Sequence, residues 1–242
     1  MPEHQHIVKS YEEELAVLDS RIAQMGGKAE QLLGQAFEAL ERRDPNLASS
    51  VVAADLAIDD LQREIEEKAI TMIARRQPMA LDLRQIMTAL KVSGDLERIG
   101  DLAKNIGKRA LAVSGESHPK SLMTGLRHMV ELVMHQLKDV LDAYTERDAT
   151  KALAVWRRDE EIDAVYNSIF RELLTYMMED PRNIGLCTHL LFGAKNLERI
   201  GDHATNIAEN VHFLVHGRSM QSDRPKGDST ASMRPNDEER SS

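Results

Sequence analysis

The chain has 242 residues with only 4% aromatics and 7 prolines, a balance that favours helix and disfavours a β-sandwich. Its formal net charge of −9 argues against a nucleic-acid binder, which needs a basic face. One cysteine, Cys187, excludes a disulfide framework within the chain and fits a reducing cytoplasm. No apolar run approaches the ~20 residues that span a bilayer. The opening "MPEHQHIVKSYEEEL" lacks the apolar segment of a signal peptide. A soluble, cytoplasmic, helical protein is expected.

Taken in chain order, the first helix carries Leu15, Leu18, Ile22, Met25, Ala29, Leu32, Ala36 and Leu40 at spacings of three and four, a bundle seam. "RRDPN" ends it, with Asp44 placed to cap the next helix and Pro45 in its first turn. The second helix buries Ile58, Leu61 and Ile65 and closes at "RRQP". The third holds "DLERIGDLAKNI", Asp95 to Ile106, and "SGESHP" follows it as the join to what comes next. Then the pattern starts again. Leu122, Leu126, Met129, Val133, Leu137, Leu141 and Tyr144 form a second seam, "MEDP" closes another second helix, and "NLERIGDHATNI" runs from Asn196 to Ile207.

Nine of the twelve positions in the two quoted segments are identical. Upstream, Asp55 aligns with Asp159 at an offset of 104; at the quoted segments the offset is 101. A period near a hundred residues is too long for a solenoid unit and indicates a duplicated domain. The expected fold is all-α: two tandem three-helix bundles related by internal duplication, an elongated six-helix protein. The first copy spans 6–114, a linker 115–119, and the second copy 120–217. Residues 218–242, polar and without periodicity, read as a disordered tail.

Each copy carries carboxylates four residues apart on two helices. The first has Asp55 with Asp59 and Glu97 with Asp101; the second has Asp159 with Asp163 and Glu198 with Asp202. Like charges at this spacing destabilise a helix by a few tenths of a kcal/mol. At about 100° per residue, Arg84, Lys91, Asp95 and Arg98 share one sector, read as wet. Val92, Leu96, Ile99, Ala103 and Ile106 share another, read as buried. Glu97 and Asp101 continue a third stripe begun by Leu83, Met87, Leu90 and Gly94. Carboxylates gathered in a half-buried groove raise each other's pKa and need a cation. Arg98 and Arg199 adjoin the glutamates in sequence and are expected to point elsewhere. That leaves a hard or borderline ion held by oxygen, Mg²⁺, Mn²⁺, Fe or Zn²⁺, in matched sites of the two copies. A metal-free acidic recognition face is the alternative. Gly100 and Gly201 would admit a close neighbour. Asn105 and Asn206 would orient the aspartates or serve a structural polar role. Arg98 and Arg199 stand where a partner could read them.

Catalytic motifs are missing from this reading. Glu209-x-x-His212 is one match to the motif that ferritin-like oxidases use in pairs, and no partner motif lies near the other acids. His203 lies inside the second motif as a phosphotransfer histidine could, but its equivalent in the first copy is Leu102, so the shared chemistry does not need it. No Walker motif or nucleophile set is present. Cys187 reads as a small core residue. The chain is expected not to be an enzyme.

From His6 to Gly217 the sequence resembles the PhoU family of phosphate-specific transport system accessory proteins. "YEEEL" and "MGGKAE" in the first helix, the Asp-rich second helix and both LERIGD segments carry the resemblance. It implies a cytoplasmic negative regulator of the phosphate-starvation response and of phosphate uptake. Such a protein couples the ATPase subunit of the phosphate ABC transporter to the sensor histidine kinase of the phosphate regulon. A homodimer is also implied, as are membrane association only through partners and no nucleic-acid binding. Divalent metal ions or multinuclear iron or zinc clusters would be held by Asp55, Asp59, Glu97 and Asp101, and by Asp159, Asp163, Glu198 and Asp202.

Overall fold

The computed structural model describes residues 2–115 and 120–220, and their regular structure is helical throughout. The first copy comprises α1 (Pro2–Arg42), α2 (Pro45–Ala54), α3 (Leu56–Arg76) and α4 (Leu81–Val113). The second comprises α5 (Lys120–Glu146), α6 (Ala149–Arg157), α7 (Asp159–Glu179), a 3-10 turn (Pro181–Asn183) and α8 (Ile184–His216). The expected linker beyond Gly115, and the expected tail from 221 onward, lie outside the described residues. Residues 218–220 fold back: the Arg218 carbonyl is 3.2 Å from His212 Nδ1, and Met220 packs against the core.

The turn after the first helix is built alike in both copies. Arg43 (φ 56°) and Arg147 (φ 54°) adopt left-handed backbone. The next residue then caps the new helix. Asp44 accepts from the backbone N–H groups of Asn46 and Leu47 at 2.9 and 3.1 Å. Asp148 accepts from those of Thr150 and Lys151 at 2.8 and 3.1 Å. Each cap satisfies donors that a helix start leaves open.

The helix expected to be second in each copy is interrupted. Asp55 separates α2 from α3, yet its backbone stays helical (φ −57°, ψ −35°) and its carbonyl accepts from Ile58 at 2.8 Å. Arg158 separates α6 from α7, with Glu161 N–H bonding its carbonyl at 3.0 Å. The ladder lapses without reversing the chain, so the three-helix plan survives. The lapse places Asp59 in the first turn of α3, and Asp159 as the first residue of α7. Peptide dipoles at a helix start favour negative charge.

The predicted seams are buried, from Leu15 to Leu40 on α1 and from Leu122 to Tyr144 on α5, except that Leu141 is half-buried. Ile58, Leu61 and Ile65 of α3 are buried with them, as are Val92, Leu96, Ile99, Ala103 and Ile106 of α4. One continuous apolar cluster joins both copies. Helix α4 packs against α8, between copies, as extensively as against α1 within its own copy, and α1 also meets α5. At 33 residues each, α4 and α8 run roughly 50 Å side by side.

This pairing corrects the helical-wheel reading of α4. Arg84 and Lys91 stand over the Phe213 ring at 5.7 and 5.5 Å, and Arg84 Nη1 donates to the Leu214 carbonyl at 3.4 Å. Asp95 bonds His203 of α8. Three residues of the supposed wet sector therefore face the other repeat, though Lys91 stays exposed, as does Arg98, whose side chain is 63% exposed. The stripe leading to Glu97 is also wetter than its composition suggests, since Leu83 and Met87 are 38% and 40% exposed. A polar sector can be covered when the covering helix offers aromatic faces and hydrogen-bonding partners to its charges.

Candidate functional site

Both sets of carboxylates assemble on matching helices, and each set is answered by a different neighbour. In the first repeat Asp55 is almost wholly buried, its side chain 3% exposed. Lys104, one turn after Asp101 on α4, reaches between the two aspartates. Its ammonium bonds Asp55 Oδ2, and Asp101 Oδ1 at 2.6 Å. Burial works against the lysine charge, but the hydrogen bonds to Asp101 and Asp55 outweigh it and raise its pKa. The other two acids feel the crowding. Glu97 is held above the ordinary carboxylate range by burial and then by Asp101, with Asp59 and Asp55 adding to it and Arg98 opposing. Asp59 is raised by burial and by Asp55, against the pull of Lys104.

The elimination that left only a metal is corrected here. The first repeat has a cation that the elimination did not weigh, Lys104, supplied by the motif helix itself. Arg98 does not point away either, since its Nε lies 3.5 Å from Glu97 Oε2.

In the second repeat Asp159, Asp163 and Glu198 are all buried, and Asp202 is half-buried. Thr205 stands where the first repeat has Lys104. Its hydroxyl lies 3.1 Å from Asp159 Oδ1 and 3.1 Å from the Gly201 carbonyl, and it accepts from Gln136 Nε2 at 3.3 Å. Lys195 donates to Glu198 Oε1 at 2.9 Å and lies 4.9 Å from the centre of the Tyr166 ring. Two buried acceptors have no hydrogen-bond partner, Glu198 Oε2 and Gln136 Oε1. Burial raises the Glu198 pKa; Lys195 pulls it down, while Asp202 and Asp163 push it up.

The glycines do what their place in the motif suggests. A Cβ at Gly100 would come within 2.9 Å of Ile58 Cδ1 and 3.1 Å of Asp55 Oδ1. One at Gly201 would stand 3.2 Å from both Ile162 Cδ1 and Gln136 Oε1. Each glycine brings the acid-bearing second helix close to the motif helix. Asn206 does not orient Asp202. It donates to Asp95 Oδ1 at 3.3 Å, on the other repeat, and His203 Nδ1 meets the same oxygen at 2.9 Å. Asn105 is half-buried on α4. Glu209 accepts from the Trp156 indole at 3.1 Å, and the His212 ring packs on His216 at 4.6 Å. Cys187 is fully buried, as a core residue would be.

Among the described residues, no three His, Cys, Asp or Glu side chains are spaced as ligands of one ion. The first set already holds an ammonium. The second offers oxygens alone, with Glu198 Oε2 and Gln136 Oε1 lacking hydrogen-bond partners, and Asp55 Oδ1 of the first set lacks one too; oxygen donors of this kind suit a hard cation.

Sequence reasoning missed Lys104, Thr205, Gln136 and the Asp95–His203 pair. The signal was in the repeat itself. The three positions where the twelve-residue segments differ are Asp95/Asn196, Leu102/His203 and Lys104/Thr205. These mismatches carry the inter-repeat bond and the two different answers to the acids.

A family model described as the PhoU domain matches residues 22–110 and 126–211, one segment in each repeat. The chain is 59% identical over 225 residues to a phosphate-specific transport system accessory protein PhoU homolog of Caulobacter vibrioides (strain NA1000 / CB15N), covering 93% of this chain and 97% of that one. It is 54% identical over 230 residues to the homolog of Rhizobium meliloti (strain 1021), covering 95% and 97%. The crystal structure of PhoU from Pseudomonas aeruginosa superposes with a TM-score of 0.83 at 40% identity, covering 86% of this chain and 100% of that one. That of the phosphate transport system regulatory protein PhoU from Streptococcus pneumoniae gives 0.80 at 28% identity, covering 88% and 100%. Among the described residues, no helix is long and apolar enough to cross a membrane.

Proposed function

The chain belongs to the PhoU family of phosphate-specific transport system accessory proteins, and on that premise we propose that it is a negative regulator of the phosphate-starvation response and of phosphate uptake. It acts in the cytoplasm as a non-enzymatic adaptor, working as a homodimer. Its partners are the ATPase subunit of the phosphate ABC transporter and the sensor histidine kinase of the phosphate regulon. It reaches the membrane only through them. The carboxylates bind a divalent cation, with Fe, Zn, Mn and Mg as candidates. Asp159, Asp163, Glu198 and Asp202 would hold it, and the ion would neutralise their mutual repulsion.

One observation supports the adaptor reading above the rest. Arg98 and Arg199 occupy the same register of α4 and α8, both are exposed, and each adjoins a glutamate of an acid set. An exposed cation beside buried acids lets a partner's acidic surface read the charge state of the site. Rim charges act mainly through association rate and salt dependence. Arg98→Glu combined with Arg199→Glu should weaken binding to one or both purified partners, most strongly at low ionic strength, with helicity unchanged by circular dichroism. Unaltered binding to both partners would move the recognition surface elsewhere on the bundle.

A further inference from the structure

One stripe of α4 stays open. Leu83, Met87, Lys91 and Arg98 follow one another on it at helical spacing, and all four are exposed. Gly94 lies among them, and a Cβ there would meet nothing within 4 Å. Glycine inside a helix works against it. Gly100 repays that cost by seating α3, whereas Gly94 answers no such contact among the described residues. The stripe forms the floor of a groove of about 520 Å³ that reaches Gln62 on α3 and Asn206 and Asn210 on α8. At one end the half-buried Phe213 ring lies against Arg84 and Lys91. Three acids line the groove, and all are half-buried. Asp95 meets His203 and Asn206, Glu97 meets Arg98, and Glu209 accepts from the Trp156 indole. The exposed charges are Lys91 and Arg98. The mouth of the groove is therefore cationic, beside the apolar pair Leu83 and Met87, on a chain of net charge −9. At an offset of 101 the second repeat has Lys195 for Gly94 and Phe192 for Lys91, with Arg109 against the Phe192 ring at 4.8 Å. A helix laid there would meet side chains where the first repeat offers bare backbone.

We infer that this groove takes an acidic amphipathic helix of a partner protein, its apolar face on Leu83 and Met87, its backbone close over Gly94 and its carboxylates toward Lys91 and Arg98. This rests on the adaptor reading and gives that reading a surface. A groove calls for a convex occupant. A second copy of the chain meeting it through the same surface would bring groove to groove, as a two-fold interface requires. Helices lodge in grooves through apolar residues at i, i+3 or i+4, and i+7. From Leu83 to Gly94 the floor runs roughly 16 Å, about three turns of a docked helix. The distance between packed helices is set by the side chains at the contact, and Gly94 has none. Charge fixes the sign of the occupant. The acids of the groove are met from within the chain, while the cations stand at its mouth. Lys91 is held over Phe213 and Arg98 beside Glu97, so both are placed before a partner arrives, which lowers the ordering cost of binding.

The test titrates the full chain against the purified ATPase subunit and against the purified cytoplasmic part of the sensor kinase. Gly94→Leu puts a side chain on the groove floor, where the added Cβ touches nothing of the chain itself. Met87→Asp turns an exposed anchor into a charge of the wrong sign. Each should weaken binding to one of the two partners at least about tenfold, as loss of a central anchor does. Gly27→Leu makes the same change at another exposed helical glycine with nothing within 4 Å, on α1, and should bind as the parent does. Lys91→Gln should flatten the salt dependence of association with that partner. Melting curves establish that each variant is folded. If Gly94→Leu does not fold, Met87→Asp and Lys91→Gln still decide the matter. A parent that binds a partner while Gly94→Leu and Met87→Asp bind it equally well would overturn the inference and leave the adaptor reading intact. So would equal weakening by Gly27→Leu, or a salt dependence that Lys91→Gln leaves unchanged. A parent that binds phosphatidylglycerol vesicles and loses them on Met87→Asp would make the face a lipid surface and overturn the inference as well. A parent that binds neither partner would overturn the adaptor reading and the inference with it.

Discussion

Alanine at Gly94 and alanine at Gly100 share one gain and differ in one cost. Both glycines lie inside α4, and replacing either favours the helix by about 1 kcal/mol. At Gly94 the new methyl meets nothing within 4 Å, so that gain stands alone. At Gly100 it would come within 2.9 Å of Ile58 Cδ1, 3.1 Å of Asp55 Oδ1 and 3.3 Å of Ile58 Cγ2. Ile58 is fully buried and Asp55 is pinned by Lys104, so neither withdraws easily. Overpacking of this kind costs about 1–3 kcal/mol. Gly94→Ala should therefore stabilise the protein by about 1 kcal/mol, and Gly100→Ala should leave it unchanged or destabilise it by up to about 2 kcal/mol. The difference between the variants isolates the steric term, because the propensity term cancels. For a chain of this size 1 kcal/mol moves the melting midpoint by roughly 2–4 °C, so the midpoints should differ by roughly 2–12 °C in chelator-treated samples. Equal rises in both midpoints would refute the claim that Gly100 exists to seat α3 against α4.

Gln77 ends α3 in left-handed backbone (φ 48°) and is exposed, so Gln77→Gly should stabilise by about 0.5–1 kcal/mol in urea unfolding. Asp44→Ala removes the cap of α2 and should cost about 1 kcal/mol in the same assay. Burial, with Asp202 and Asp163, raises the folded pKa of Glu198 despite Lys195, so its charge is penalised once pH exceeds the folded value. Glu198→Gln should therefore unfold at higher urea than the parent at pH 7 without metal. The advantage should close as pH falls toward about 4, where unfolded glutamate also takes up its proton.

What the sequence determined by itself is what a few helical turns encode. The seams of α1 and α5 were legible because an apolar residue every three or four positions has one use in a water-soluble chain. The cap at Asp44 was legible because capping is settled within three residues. Duplication and the eight acids could be read off by alignment alone, and Gly100 and Gly201 announced close approach by their recurrence inside the motif. The tertiary structure decided what those acids meet. Lys104 stands three residues after Asp101, where a surface ion pair would be unremarkable, and only the packing of α3 on α4 puts Asp55 on its other side. Gln136 lies on α5, about sixty residues before the second motif in the chain, and becomes part of the site because α5 packs on α8. The polar sector of Arg84 and Asp95 is half-buried because α8 brings Phe213 and His203 to it, and Lys91 reaches the same ring from an exposed position. Periodicity tells a helix which side is apolar, but a long helix between two neighbours buries a second side, and its partners there are chosen by charge and shape across a hundred residues of chain.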